Sequence, residues 1–387
     1  MEMKDFYKQF CREAFDENGH LTEFEVTAAP DFNFAYDVVD RIAELEPNRR
    51  AMIWTNEAGE EKIFTFRQMS DYSTKAANLF ASYGIGKGDT VMLILKRNYQ
   101  FWFAILGLHK LGAIAIPATN LLTTKDIVYR FEAASVKAIV CTSQCNVHAY
   151  IDEAEKKLGI EVLKFSAMGH FDNYINFDEE IEKQPATMER VPVTAEDGML
   201  MYFTSGTTGQ PKMVLHGYDY PLGHIITGVH WHNVDPDGLH LTLAETGWGK
   251  ALWGKLYGQW LAGTGIFVYD FDKFVPHDIL RMIEKYRITT FCAPPTIFRF
   301  LIKEGIANFD LSSLRYATVA GEALNEEVFN KFKEITGLSL MEGFGQTETT
   351  LTIANLYGST PKPGSMGRPS PLYNVGLVHG DGNSVGE

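Results

Sequence analysis

Residues 198–212 read GMLMYFTSGTTGQPK, an apolar run that passes without a break into a loop of hydroxyls, glycines and one lysine. The first part, GMLMYFT, is short and bulky enough to be a buried strand. Similar runs recur along the chain: VMLIL (91–95), AIAIPA (113–118), KAIVCT (137–142), GLHLTL (238–243), GIFVYD (265–270), TTFCAPP (289–295) and YATVAG (316–321). Helical patterns lie between several of them. HDILRMIEKYR places Ile279, Met282, Ile283 and Tyr286 on one face, and NEEVFNKFKEITG does the same with Val328, Phe329, Phe332 and Ile335, starting on a capping Asn325 and stopping before Gly337. Strand alternating with helix predicts an α/β fold of largely parallel sheets. The chain has room for two stacked units, one over about 50–190 and one over about 191–356. The Pro/Gly/Ser-rich segment 357–374 reads as a linker into a further element.

Composition bounds the function. With 387 residues, 45% hydrophobic and 22% charged, the chain is long enough for more than one core. Its longest apolar stretch, Ala104 to Ala118, is interrupted by His109 and Lys110 and falls short of the roughly 20 residues of a membrane helix. The N-terminal MEMKDFYKQFCREAFDE lacks the apolar core of a signal peptide. Four scattered cysteines do not make a disulfide framework, which fits a reducing, cytoplasmic setting. A net charge of -14 argues against nucleic acid or an anionic membrane as partner. A phosphate ligand must therefore be met locally, by backbone N–H groups, a few cations and a metal ion.

The loop after the strand is the place to look, because ligands of α/β sheets bind beyond the carboxyl ends of strands. Gly206 and Gly209 permit close backbone approach, Thr204, Ser205, Thr207 and Thr208 offer hydroxyl donors, and Lys212 offers a charge. The set suits a polyphosphate. It is not a Walker P-loop, which ends Gly-Lys-Ser/Thr, whereas Pro211-Lys212-Met213 stands here. A plain Ser/Thr/Gly surface loop is the competing reading of this stretch alone.

YFTSGTTGQPK (202–212) resembles the phosphate-binding signature of the AMP-forming acyl-CoA synthetases within the adenylate-forming enzymes. ETGWGKALWG (245–254), CAPPTIFRF (292–300), VAGEAL (319–324) and EGFGQTETT (342–350) are similar to later motifs of that family, in the right order, and NLLTTKDIVYRFEAASVKAIV (120–140) resembles its medium-chain branch. The resemblance covers the chain from about residue 50 onward. It implies attack of a carboxylate on the α-phosphorus of ATP, release of pyrophosphate, and capture of the acyl-adenylate by the thiol of CoA. Both partners of the first step are anions, so preorganised donors and Mg²⁺ must neutralise charge before they meet.

By the same resemblance, residues 204–209 and Lys212 hold the β- and γ-phosphates, Thr347 contacts the α-phosphate and Glu348 binds Mg²⁺, which suits a hard cation shared between a carboxylate and substrate oxygens. Phe344 lies against the adenine, and Gly321, Glu322, Ala323, Glu342 and Gly343 line the base. Taken singly, Phe344 reads as a core aromatic. Gly345 stands where acetyl-specific relatives carry a tryptophan, so a larger acid fits. Trp248 belongs to the acyl pocket, while Trp253, Tyr257 and Trp260 are pocket or packing residues. His230 and His232 in HWH lack a third ligand at metal spacing. Lys96 and Arg97 in ILKRN read as a solvated turn in preference to a coenzyme contact.

The family continues past this chain. The segment 357–387 is expected to begin a barrel-like subdomain, followed by an Asp for the ribose, a hinge, and a small C-terminal domain with the lysine that assists adenylation. The chain thus reads as an incomplete adenylating domain that turns over weakly or not at all alone. A luciferase-like oxidase, a peptide-synthetase adenylation domain and a non-catalytic ATP-binding protein are the alternatives. Straight-chain, branched and aromatic acids all stay open, as does a homo-oligomer.

Overall fold

The computed structural model describes residues 2–205, 209–382 and 385. All eight apolar runs are strands, and they fall into two sheets. The first has seven strands in the order Lys212–Gly217, Gly198–Thr204, Ile114–Pro117, Thr90–Ile94, Ala138–Thr142, Leu163–Ala167 and Ile175–Asn176. It is parallel except at the edge, where Gly198–Thr204 and Lys212–Gly217 form an antiparallel hairpin closed by the pair Thr204 and Lys212. The second has nine strands. Parallel pairing runs from Leu340–Gly345 through Tyr316–Val319, Thr290–Ala293, Leu239–Thr242 and Gly265–Asp270 to Arg50–Asn56, with antiparallel strands added at both ends.

Side-chain alternation explains how two sheets share one interior. Successive strand residues face opposite sides. Met52 and Trp54, Ile266 and Val268, and Val91 and Leu93 all enter one central core, while Ile53, Phe267, Tyr269, Met92 and Ile94 face outward to helices on the far sides. The helix Gln100–Leu111 is buried along its whole length in that central layer. This is why its sequence is hydrophobic on every face. Outside, Glu326–Thr336 packs on the second sheet. It is capped as expected: the Asn325 side chain accepts from the Glu327 N–H, and Gly337 ends the helix in the left-handed region.

One expectation about organisation is corrected. The division near residue 191 does not separate the sheets, because Gly198–Thr204 and its hairpin partner belong to the first sheet, whereas Arg50–Asn56 and Glu61–Thr65 belong to the second. Long-range pairing decides this; local pattern carries no sign of it. Among the described residues, the segment after 356 adds the short strand Arg368–Pro369 to the edge of the second sheet, and no closed barrel occurs. No helix among the described residues is long and apolar enough to cross a membrane.

The N-terminal hairpin Cys11–Phe15 with Leu21–Val26 rests against the second half of the chain, where Glu13 lies 3.6 Å from His230 and His20 meets the Gly358 carbonyl at 3.0 Å.

Candidate active site

A cavity of about 600 Å³ opens where the carboxyl ends of the second sheet's strands face the edge hairpin of the first. Its walls come from several separate segments, three of which carry the residues expected at the site. Leu340–Gly345 contributes Glu342, Gly343, Phe344 and Gly345, and Thr347 follows in the next turn. The turn after Tyr316–Val319 contributes Gly321, Glu322 and Ala323; Trp248 and Trp253 come from the segment after Leu239–Thr242. Every residue expected at the base or the acyl pocket is therefore brought to one cavity.

Backbone conformation explains several of these residues. Gly321 sits at φ +101°, which favours glycine. Phe344 is 40% exposed at the cavity mouth and is not a core aromatic, contrary to its reading in isolation. Trp248 is 60% exposed, just before the helix Gly249–Lys255. The other aromatics divide: Trp253 reaches the cavity, whereas Tyr257 and Trp260 are fully buried in the central core. Gly345 carries no side chain because its neighbours leave no room. A Cβ there would overlap the Trp253 ring and the Thr350 carbonyl oxygen. The wall expected to be missing at 345 is in part supplied by Trp253. Gly343 is held by the same logic, since a Cβ would lie 2.7 Å from the Trp231 ring.

The polar groups are tuned by burial. Glu342 accepts from the Leu324 N–H at 3.2 Å, and desolvation raises its carboxyl above the ordinary glutamate value. Glu322 accepts from the Thr296 hydroxyl at 2.6 Å. Lys250 was not singled out from the sequence, although it stands in ETGWGK. Its ammonium donates to the Ala320 carbonyl at 2.7 Å, and desolvation pulls it below the ordinary lysine value.

Of the loop expected at the phosphates, Thr204 ends its strand, Ser205 and Gly209 are exposed, Gly209 at φ +90°, and Lys212 is an exposed first residue of the returning strand. Gly206, Thr207 and Thr208 lie outside the described residues. The returning strand also carries a residue that the sequence reading missed. His216 Nε2 donates to the Thr347 carbonyl at 2.7 Å, and the ring stacks on Tyr220 at 3.9 Å. Burial holds this imidazole below its ordinary value, against the opposing pull of that carbonyl, Asp219 and Glu348. The hairpin and the Thr347–Glu348 turn thus meet at one rim. The available signal was the strand alternation of KMVLHG, which sets His216 on the same face as Val214 and Lys212.

Glu348 is exposed at that rim. No three His, Cys, Asp or Glu side chains gather as a metal site among the described residues. A single free carboxylate fits Mg²⁺, which is commonly held by one or two carboxylates together with substrate phosphates. His230 and His232 take different partners, Glu13 and Gln259, and are no metal pair. Lys96 and Arg97 are not a solvated turn. Lys96 is buried and pairs with Asp272, and the Arg97 guanidinium donates to the Phe271 carbonyl at 3.1 Å and lies 4.0 Å from its ring.

Comparison with known proteins gives the same direction. The model of the AMP-binding enzyme family matches residues 39–387. Acyl-coenzyme A synthetase ACSM3, mitochondrial, of Homo sapiens is 33% identical over 368 residues, covering 93% of this chain and 63% of the relative. Among solved structures, the Brucella canis acyl-CoA synthetase superposes with a TM-score of 0.85 at 27% identity, over 93% of this chain and 66% of that one. The anthranilate CoA ligase AuaEII, in complex with anthranoyl-AMP, gives 0.85 at 26%, over 93% and 68%. The chain spans about 63% of the length of the curated relatives it matches. The mitochondrial label in their names lends no support to the cytoplasmic expectation.

Proposed function

The chain belongs to the AMP-binding enzyme family, and we propose that its protein activates a carboxylic acid with ATP to an acyl-adenylate and passes the acyl group to CoA. The observation that carries this reading is the His216–Thr347 hydrogen bond, which ties the hairpin bearing the Ser/Thr/Gly loop to the rim of a cavity large enough for a nucleoside and an acid. Solvated triphosphate at the mouth and a drier, aromatic interior behind it match the two needs of the reaction.

In this reading Thr204 to Gly209 and Lys212 cradle the β- and γ-phosphates, and Thr347 hydrogen-bonds the α-phosphate. Glu348 holds Mg²⁺, which when bound offsets charge on the phosphate oxygens and orients them. Phe344 covers one face of the adenine; Gly321 to Ala323, Glu342 and Gly343 border it. Trp248 and Trp253 enclose the acyl group, with Trp253 packed closely against Gly345 and setting the length that fits. The carboxylate then reaches the α-phosphorus in a site where fixed dipoles replace water, and positioning supplies much of the rate. That a structural relative binds anthranoyl-AMP favours an acyl-adenylate in this cavity over a nucleotide that is merely sensed.

The acid is a medium-chain fatty acid or an apolar or aromatic acid of similar size. The test is pyrophosphate exchange by the complete enzyme with ATP, Mg²⁺ and a panel of acids, followed by thioester formation on adding CoA. Exchange that depends on no acid would overturn the proposal, and adenylate without thioester would move it to another adenylating enzyme.

A further inference from the structure

We propose that Tyr220 is a positioning residue with two separable tasks: its ring fixes the Thr347–Glu348 turn through His216, and its hydroxyl fixes Trp253, which limits the acid. This rests on the acid-activating reading above. One buried side chain would then set both the phosphate end and the acid end of the site.

The contacts close a ring. His216 Nε2 lies 2.7 Å from the Thr347 carbonyl oxygen. A carbonyl can only accept, so this nitrogen carries the proton of the neutral imidazole. The imidazole stacks on the Tyr220 ring at 3.9 Å, with 25° between the planes. On its other side the Tyr220 hydroxyl accepts from the Trp253 indole N–H at 3.0 Å. Trp253 in turn packs on Gly345, two residues before Thr347, so closely that a Cβ there would overlap its ring. The turn from Gly345 to Thr347 is thus held at both ends by an aromatic ring, and both rings are anchored on Tyr220.

Tyr220 is itself well placed as an anchor. It opens the helix Tyr220–Ile225 with Pro221 behind it, and its ring meets those of His224 at 4.8 Å and Tyr257 at 6.0 Å edge to face. Among the described residues that line the cavity, Thr347 and Trp253 are present and His216 and Tyr220 are not, so the latter two act through the former. The stack restrains the imidazole and the hydroxyl restrains the indole. The two tasks fall on different atoms and can be removed one at a time.

The test is pyrophosphate exchange by the complete enzyme with two separate readouts, the KM for Mg·ATP and the ratio of kcat/KM between the longest and shortest accepted acids. Tyr220→Phe keeps the ring and removes the acceptor of the Trp253 N–H. It should shift the acid ratio by about tenfold towards longer acids and leave the KM for Mg·ATP within about twofold. His216→Phe keeps the stack and removes the donor to Thr347. It should raise the KM for Mg·ATP by about tenfold and leave the acid ratio within about twofold, and His216→Gln, which restores an N–H, should bring that KM back towards wild type. Tyr220→Leu should move both readouts; should it fail to fold, the other variants still decide. An acid ratio unmoved in Tyr220→Phe, a Mg·ATP KM unmoved in His216→Phe, or equal movement of both readouts in either would overturn the inference and leave acid activation standing. Exchange that depends on no acid would instead overturn the activation reading and this inference with it.

Discussion

Substituting Gly345 by alanine should damage the proposed acyl pocket out of proportion to one methyl group. The new Cβ would overlap the Thr350 carbonyl oxygen, which cannot withdraw without opening the antiparallel pairing of Gly345 with Leu351. It would also overlap the Trp253 ring, so the ring must yield. Trp253 is held by a hydrogen bond from its indole N–H to the Tyr220 hydroxyl at 3.0 Å, and moving it breaks that bond and pushes the ring into the cavity. Overpacking of this kind costs about 1–3 kcal/mol and the lost bond about 1 kcal/mol, so urea denaturation should show about 2–4 kcal/mol less stability. Pocket length should shrink together with stability. Since each methylene in an apolar pocket is worth about 1–3 kcal/mol, the complete enzyme should lose about 10- to 200-fold in kcat/KM for its longest accepted acids while the shortest are spared. A variant with stability within about 0.5 kcal/mol of wild type and an unchanged chain-length profile would refute the packing of Trp253 as the pocket's limit.

Glu348→Gln should lower pyrophosphate exchange by about 10²- to 10³-fold and raise the Mg²⁺ concentration needed, with little change in stability because the side chain is exposed; an unaltered Mg²⁺ titration would remove Glu348 from that role. Burial holds His109, His224 and His240 down at about 3 against an ordinary 6.5, so each excludes a proton that the unfolded chain binds, and each should remove about 2 kcal/mol of stability as pH falls from 6.5 to 5. Denaturation midpoints that stay level across that window would show that these rings are not sealed in the neutral form. Asn325→Ala should cost about 1 kcal/mol by removing the cap on Glu326–Thr336 and leave acid specificity untouched, which urea titration and the acid panel together would check.

Much of the site was legible because its chemistry is written in contiguous segments. The Ser/Thr/Gly loop after GMLMYFT, EGFGQTE and VAGEAL each carry their groups within a few residues, and the structure brings the described parts of all three to one rim and cavity. His216 was missed because a lone histidine on an edge strand has no local signature. Its meaning comes from Thr347, 131 positions away. Lys96 and Arg97 were misread for a related reason: a basic pair after a strand is usually solvated, and only the second sheet, through Asp272 and Phe271, buries them.

The amino-acid sequence by itself determined the elements and the family. Strand alternation, helix periodicity, caps and motif composition are local properties, set by backbone geometry and side-chain type over a few residues. Tertiary structure alone decided which strands share a sheet, sending Gly198–Thr204 to the first and Arg50–Asn56 to the second, and it alone assembled the cavity floor from Trp231, His232, Thr242 and Cys292. Pairing partners and cavity walls are fixed by contacts between distant segments, whose free energy depends on shape and burial that no local window of sequence contains.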